Sequence, residues 1–413
     1  MKQNKILSII ISAFAAFFIL ILLAANLTAL KPKTHVAFYD VGPNDISSVK
    51  NYLENLTDSK GKKTLYKFYQ LNSDQSLAQQ IKGKYNILIC SKNLNVQEYI
   101  SSKSTKKRAT LGPDVSILSD MTISVKQSAI TTKNAVNFIP LLLDNNEIDI
   151  DRSIFKQSKI PAINSWNDVE NFASYCKKIT STPIIFAGAS DDTILGILGS
   201  LTEALSGQES YLKLVDSIKN LCSNKNVTQT AFENLIQECS VVDGPLFYSL
   251  NKLKNWYKNG LLAQNFHAIT LKDLQFYMEN TTCPVALMTL SQHRSIPYKA
   301  ITKYSSIYYP SEISSVQRYF SASQYGIIQL KNNKRSSRTI NNLISNKGQE
   351  TLSSSTGLAP VLANCSAADK QADDVRYWIA GTNQPNMGLA ADSFTDNTYK
   401  HYFAEAIRTA IRH

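Results

Sequence analysis

The side chains best suited to bind a ligand follow directly after two predicted strands. Tyr39 and Asp40 end a short apolar run, and Ser91, Lys92 and Asn93 come after a second one. When such strands run parallel in a sheet with helices on both faces, ligands bind beyond their carboxyl ends. These carboxylate, amide, hydroxyl and ammonium groups supply both donors and acceptors of hydrogen bonds. The sequence therefore predicts a polar binding site at this edge of the sheet.

A second group of candidates follows the apolar run that ends at Met288. Ser291, Gln292, His293 and Arg294 come directly after it. Arg294 offers a planar fork of donors that fits a carboxylate, a phosphate or a pair of hydroxyl groups. The alternative is a solvated loop in which Arg294 forms a surface salt bridge. If Arg294 contacts the ligand, the substitution Arg294→Ala should weaken ligand binding with little change in melting temperature.

Motifs of the common enzyme classes are missing from the sequence. There is no H-E-x-x-H, no G-x-S-x-G and no G-x-x-x-x-G-K-[ST]. The five histidines show no spacing typical of metal ligands. We therefore predict a protein that is not an enzyme and that has neither a cofactor nor a metal site. Glycosidase carboxylates have no recognisable sequence spacing, so a glycosidase remains the open enzymatic alternative.

The six cysteines do not form a C-x-x-C pair, which argues against a zinc ribbon or a thioredoxin-like motif. Cys222 and Cys239 are closest in sequence and could form a disulfide outside the cytoplasm. Buried free thiols are equally compatible with the sequence.

The chain is basic, with 44 lysines and arginines against 32 aspartates and glutamates and a net charge of +12. The basic residues are scattered, and the densest runs, 60–63 and 103–108, have the composition of exposed loops. Nucleic-acid binding would need a basic stripe or patch, so we expect no nucleic-acid partner. Attraction to an anionic membrane surface is the functional alternative to simple solvation of these loops.

The N-terminal segment predicts export. Residues 6–30 contain no charged side chain and follow Lys2 and Lys5. The core of a cleavable signal has about 7–15 apolar residues, whereas a membrane-spanning helix needs about 20. We therefore expect a signal-anchor helix, with a cleaved signal peptide as the alternative. The positive flank places the remaining chain in the periplasm or on the outer face of the cytoplasmic membrane. No cysteine near residue 30 could accept a lipid.

The first part of the body alternates strands and helices. Predicted strands at 36–39, 64–69 and 85–90 are separated by segments with helical spacing of apolar residues. A β-α-β-α-β order predicts a mostly parallel sheet with helices on both faces.

The middle of the chain is predicted to be helical. Ser165 can cap one helix, and a second helix should end near Gly207. Strand-like runs return at 284–288 and 325–330, and Asp396 can cap a C-terminal helix. This order predicts an α/β protein of two lobes, with the chain crossing between them more than once.

Four passages resemble, in the same order, the extracellular solute-binding proteins of ABC importers, of the sugar-binding type (family 1). They are 138–172, 253–260, 273–288 and 340–360. The resemblance covers about residues 36–364. The glycine that the family has after the phenylalanine of its third passage is missing from 276–280, so the chain is a divergent member.

The resemblance implies a two-lobed periplasmic-binding-protein-like fold (type II), preceded by one N-terminal transmembrane or signal helix. Four segments follow: 1–30 as signal-anchor or signal peptide, 31–140 as the first part of lobe 1, 141–300 as mainly lobe 2, and 301–413 as the return crossing, the rest of lobe 1 and the C-terminal helices.

The resemblance also implies that the lobes close by hinge bending on a small solute, a carbohydrate above all, for delivery to an ABC permease. Further ligand contacts are then expected at Asp243 in the middle loop, and at Gln324 and Tyr325 near the return crossing. The alternative is that the fold has been reused as a membrane-anchored sensor or envelope interaction module without transport.

Overall fold

The computed structural model describes residues 33–57, 61, 63–81, 83–104, 112–132, 135–313, 322–382 and 385–413. The predicted signal or anchor helix at residues 6–30 lies outside the described residues. Within the described ranges, no helix has both the length and the apolar character needed to span a bilayer.

The strands are β1 (Thr34–Tyr39), β2 (Tyr66–Gln70), β3 (Ile87–Ser91), β4 (Ile130–Thr132), β5 (Ala135–Asp151), β6 (Ile184–Ile185), β7 (Val285–Thr289), β8 (Tyr304–Ile307), β9 (Ala322–Gln329) and β10 (Ala359–Pro360). The α-helices of the first two thirds of the chain are α1 (Pro43–Glu54), α2 (Leu77–Gln80), α3 (Leu94–Ser104), α4 (Ile123–Ser128), α5 (Arg152–Ser158), α6 (Trp166–Cys176), α7 (Asp191–Cys222), α8 (Gln229–Cys239), α9 (Phe247–Lys258) and α10 (Leu271–Asn280). The later α-helices are α11 (Leu290–Ser295), α12 (Tyr298–Ile301), α13 (Lys334–Leu343), α14 (Asn346–Thr356), α15 (Lys370–Ala380), α16 (Leu389–Ser393) and α17 (Asn397–Arg412). Short 3₁₀ helices occur at Val115–Leu118 and Phe266–Ala268.

Lobe 1 is built on the predicted parallel strands. β1 pairs in parallel with both β2 and β3, and β9 pairs antiparallel with β3. All but one of the β1 residues are buried, as expected for a parallel strand covered by helices on both faces. The β-α-β-α-β prediction for this part of the chain is confirmed. The parallel order also brings the carboxyl ends of β1 and β3 to the same edge.

Lobe 2 contains the helical middle of the chain. Its small sheet has the order β6-β7-β5-β8, and helices α6, α7 and α9 cover it. Trp166 of α6 and Trp256 of α9 are both buried, with ring centroids 5.7 Å apart. These large rings fix the helices against each other because aromatic pairs add packing energy beyond their buried area.

Strand β5 connects the lobes. From Ile139 to Asn145 it pairs with β9 of lobe 1, and from Asn146 to Ile150 it pairs with β7 of lobe 2. The chain returns to lobe 1 between β8 and β9, and crosses again between α15 and α16. The C-terminal helix α17 therefore packs in the core of lobe 2. More than one crossing was predicted, and this is confirmed.

Local predictions for the helices are largely confirmed. A capping box starts α6, in which Ser165 Oγ accepts a hydrogen bond from the backbone N–H of Asp168. Asp396 caps α17. Helical geometry breaks at Gly207, as predicted: this residue has a φ of 84°, and a second helical stretch continues beyond the kink. The change of direction needs a left-handed residue, which glycine adopts without steric cost.

All six cysteines are free thiols. The possible Cys222–Cys239 disulfide is not formed, and Cys239 is buried in the core of lobe 2.

Candidate functional site

A cleft of about 540 Å³ lies between the two lobes. Lobe 1 contributes the carboxyl ends of β1 and β3 and the start of β9, while lobe 2 contributes the first turn of α7, the start of α11, and α16. The middle of β5 forms the floor where the lobes join. Small-molecule sites in proteins have volumes of about 300–1,000 Å³, so the cleft has the size of a ligand pocket.

Most residues predicted from the sequence lie along this cleft. The lining includes Tyr39, Asp40, Ser91, Lys92, Asn93, Gln292, Gln324 and Tyr325. Those from β1 and β3 meet because parallel strands end at the same edge. Tyr325 also pairs with Ser91 across the β3–β9 ladder, which brings the return crossing to the same edge.

Two of the residues predicted after β7 lie outside the cleft. Arg294 forms a bidentate salt bridge with Asp369 of lobe 1, with nitrogen–oxygen distances of 2.7 and 2.8 Å. His293 is buried beside Glu147. Successive residues of a helix point about 100° apart, so Ser291 and Gln292 line the cleft while the next two residues do not. The four consecutive residues 291–294 therefore do not share one surface.

Asp243 is also outside the cleft. It is exposed, with a φ of 66°, in the turn between α8 and α9. The backbone N–H of Gly244 closes this turn by donating to the carbonyl of Val241 over 2.8 Å. Asp and Asn are the residues that tolerate the left-handed conformation best after glycine, so a turn role explains this aspartate.

Two buried amide side chains in the cleft lack partners. Gln324 is 1% exposed, and neither its Nε2 nor its Oε1 forms a hydrogen bond within the described part of the chain. The side-chain nitrogen of Asn145, which is 2% exposed, is also without a partner there. Buried polar groups in native proteins nearly always have a hydrogen-bond partner, and a bound molecule can be that partner. Both amides line the cleft on adjacent strands, β9 and β5.

Lys92 places a positive charge at the lobe 1 wall. It is 8% exposed, and its Nζ donates to the backbone carbonyl of Ser128 over 2.5 Å. Burial lowers its pKa to about 8, and the nearby carboxylate of Asp392 acts in the opposite direction. A lysine kept in such a place despite the cost of desolvation points to a functional role.

The end of β1 has an unusual backbone. Asp40 has a φ of 54°, and its carbonyl accepts a hydrogen bond from the Ser91 hydroxyl. Its carboxylate accepts a second hydrogen bond from Asn93 Nδ2 at 2.9 Å. A non-glycine residue in the left-handed region is often found at a functional site. These bonds hold the carboxylate in place at the mouth of the cleft.

The polar groups at the start of α11 are already hydrogen-bonded to their neighbours. Asp144 on β5 accepts from the backbone N–H and the hydroxyl of Ser291 at 3.0 and 2.6 Å. Gln292 donates to Thr193 over 2.8 Å, and its oxygen accepts from the backbone N–H of Thr289. These bonds fix the junction between β5, β7 and α7, so these side chains hold the floor of the cleft in position.

Among the described residues, the aromatic side chains that line the cleft are Tyr39, Tyr325 and Phe394. Trp166 and Trp256 are buried in the core of lobe 2 and do not line the cleft. Aromatic faces stack on the C–H surfaces of a sugar, while amides bind its hydroxyls. The cleft is therefore suited to a ligand that is bound mainly by hydrogen bonds.

The sequence analysis missed several residues of the cleft. Asn145 and Asp144 come from the middle of β5, and Phe394 and Lys400 come from the C-terminal crossing. A signal for the first two was present, since four consecutive polar residues at 144–147 interrupt an apolar strand. No local pattern marked Phe394 or Lys400.

Comparison with known proteins gives structural matches only. No protein-family model matches the sequence, and no curated protein matches it. The fold is similar to that of the bacterial solute receptor AcbH, which has an exclusive preference for β-D-galactopyranose (TM-score 0.67, 11% identity, covering 92% of this chain and 96% of that chain). It is also similar to a chitin oligosaccharide binding protein (0.65, 13%, 92% and 95%) and to a Bacillus licheniformis sugar transporter in complex with stachyose (0.59, 8%, 92% and 98%).

These similarities extend over nearly the whole length of each compared protein. The chain has the α/β two-lobed fold of the periplasmic binding proteins, with the type II order predicted from the sequence. At 8–13% identity the structural similarity defines the fold but does not identify the ligand.

Proposed function

We propose that this chain is an extracytoplasmic solute-binding protein that captures a carbohydrate between its lobes for an ABC transporter. The observation that carries the proposal is a pair of buried amides in a cleft of ligand size: Gln324, and the side-chain nitrogen of Asn145, have no hydrogen-bond partner among the described residues. An amide can both donate to and accept from sugar hydroxyls. A bound sugar would satisfy groups that otherwise remain buried at a cost in free energy.

The composition of the cleft supports a hydroxylated ligand. Its lining includes Asp40, Asn93 and Asp192 beside the amides, and few aromatic rings. Three structural neighbours bind β-D-galactopyranose, a chitin oligosaccharide and stachyose, respectively, all of them carbohydrates. The volume of about 540 Å³ fits a small solute.

Capture by closure follows from the way the lobes are connected. Ligand groups on both sides are available: Gln324 belongs to lobe 1 and Thr193 to lobe 2. A solute that contacts both walls stabilises the arrangement in which they are close together. Hinge motion of this kind requires bending at only a few residues of the connecting segments.

The predicted N-terminal helix completes this function. Residues 6–30 would hold the lobes at the outer face of the membrane, where a permease could accept the solute. No enzymatic step is part of the proposal. The alternative, a sensor or interaction module without transport, would be favoured by a filled or collapsed cleft, and the cleft here is open.

A thermal-shift panel tests the proposal. The full chain in mild detergent is heated with mono- and oligosaccharides, including galactose, N-acetylglucosamine oligomers and stachyose, and with an equal panel of amino acids. At 100 times its dissociation constant, a ligand stabilises the folded state by about 2.7 kcal/mol. We expect a rise in Tm with at least one carbohydrate and with no amino acid. A response to amino acids alone, or to nothing in the panel, would contradict the proposal.

A further inference from the structure

A buried cluster of three ionisable side chains lies at the junction of the lobes, away from the cleft. Glu147 and Asp149 are on the lobe 2 part of β5 and, being two residues apart, lie on the same face of the strand. His293 of α11 lies against both, with its Nδ1 3.1 Å from Glu147 Oε1 and 3.0 Å from Asp149 Oδ1. Both carboxylates are 0% exposed.

The cluster contains oxygens without partners. Glu147 Oε2 and Asp149 Oδ2 are buried and form no hydrogen bond to any described residue. The hydroxyl of Tyr309, a residue that is 4% exposed, is likewise unpartnered. Glu147 and Asp149 belong to one cluster, and their buried oxygens without a partner indicate that a partner is missing.

The two buried carboxylates of the cluster share one basic partner. Within the described ranges, neither carboxylate forms a salt bridge with a lysine or arginine, and His293 is their only basic partner. Burying a carboxylate without compensation is costly, so native proteins pair it or use it to bind a metal.

We propose that Glu147, Asp149 and His293 bind one divalent transition-metal cation. Their ligand atoms all lie within 4.8 Å of one another, with one imidazole nitrogen and two carboxylates. Imidazole is a good ligand for zinc, iron and nickel, and carboxylates also bind manganese. One imidazole with two carboxylates therefore favours a transition metal over magnesium and calcium. The cation would give the buried carboxylates a positively charged partner beside the single imidazole.

The metal site would connect the two lobes. Gln371 of lobe 1 donates to Glu147 Oε1 and to the Ser306 hydroxyl, the latter over 2.7 Å. Ser306 in turn donates to Asp149 Oδ1 over 2.6 Å. Partners of this kind orient metal ligands and influence affinity. An occupied site therefore fixes the position of α15, which carries Gln371, against lobe 2.

The sequence could not reveal this site. His293 and Asp149 are 144 positions apart, and no short histidine motif is involved. The prediction of no metal site rested on local spacing alone.

Metal titration of the full chain tests the proposal. After chelator treatment, Mn²⁺, Co²⁺, Zn²⁺, Mg²⁺ and Ca²⁺ are each added alone and binding is followed by calorimetry and by the visible absorption of Co²⁺. The variants are Glu147→Gln, Asp149→Asn and His293→Gln. The matched control is His401→Gln, since His401 lies 3.0 Å from Asp191 but is 56% exposed. Tm without metal is measured for all of them.

We expect one equivalent of a transition metal to bind the wild-type chain and the His401→Gln variant alike. Each ligand variant should weaken that binding at least about 100-fold, beyond the 10–100-fold that loss of an outer partner causes. Asp149→Asn and Glu147→Gln keep a hydrogen-bond acceptor while removing charge, so both should retain or exceed the metal-free Tm of the wild-type chain. Absence of binding to the wild-type chain, or undiminished binding by all three ligand variants, would overturn the proposal.

Discussion

Replacing the unpartnered amide of the cleft should stabilise the empty protein and weaken its binding to a ligand. In Gln324→Leu, both polar atoms that lack partners are removed. Leucine has a similar volume and needs no hydrogen bonds. If the role of Gln324 were to stabilise the fold, the same substitution would lower the stability of the empty protein instead.

The size of both effects follows from the burial of Gln324, which is 1% exposed. A buried unsatisfied polar group costs about 1–3 kcal/mol, so the variant should raise the free energy of unfolding by about 1–3 kcal/mol. Loss of up to two hydrogen bonds to the solute, at about 0.5–1.5 kcal/mol each, should weaken binding roughly 5- to 150-fold. Urea unfolding gives the first quantity and calorimetry with the carbohydrate from the panel gives the second.

Gln349 provides the matched control. It is also buried, but its amide donates to the carbonyl of Leu343 over 3.0 Å and accepts from the N–H of Val361 over 2.9 Å. Gln349→Leu should therefore lower the free energy of unfolding by about 2–4 kcal/mol, because both partners lose their bonds. Its solute affinity should not change. A Gln324→Leu variant that is less stable than wild type, or that binds equally well, would refute the reasoning.

Three further substitutions test other parts of the structure. Arg294→Ala breaks the partly exposed salt bridge to Asp369 and should cost about 1 kcal/mol of stability in urea unfolding, with solute affinity unchanged; a large loss of affinity would return Arg294 to the site. Lys92→Met should stabilise the chain by about 2–3 kcal/mol at pH 7, because the pKa of Lys92 is about 8 in the folded chain and about 10.5 in the unfolded chain. Between these two pH values the unfolded chain binds more protons than the folded chain. The wild-type chain therefore recovers stability as the pH rises from 8 to 10.5. An advantage of Lys92→Met that persisted undiminished at pH 10.5 would exclude this cause. Trp256→Phe removes the indole hydrogen bond to Glu170, 2.7 Å long, and should lower stability by about 1.5–3 kcal/mol with no effect on calorimetric affinity; weaker binding would contradict its role in the core.

The fold was predictable where local patterns decide structure. Apolar runs separated by helical spacing defined β1, β2 and β3, and a serine with an aspartate three residues later defined the start of α6. Strand β5 has 17 residues, longer than the usual 3–10, because it belongs to the sheets of both lobes. Nothing local in the sequence specifies which partners a strand finds on each side of such a crossing.

The site was predictable only in part, for a physical reason. The ends of parallel strands meet, so Tyr39 and Ser91 could be placed together from their positions in sequence. Residues after β7 enter a helix, where each successive side chain points in a new direction. Gln292 faces the cleft, whereas His293 and Arg294 contact other groups. Asn145 depends on long-range strand pairing, which the sequence pattern does not specify.

The central claim is that a small solute enters the gap between the lobes and draws them together. Small-angle X-ray scattering of the chain with and without a saturating carbohydrate measures this directly. We predict a smaller radius of gyration with the carbohydrate for the wild-type chain and Gln349→Leu, and for Gln324→Leu the same decrease only at a higher carbohydrate concentration, in proportion to its weaker binding. Tight binding to the wild-type chain with an unchanged radius of gyration would contradict the account.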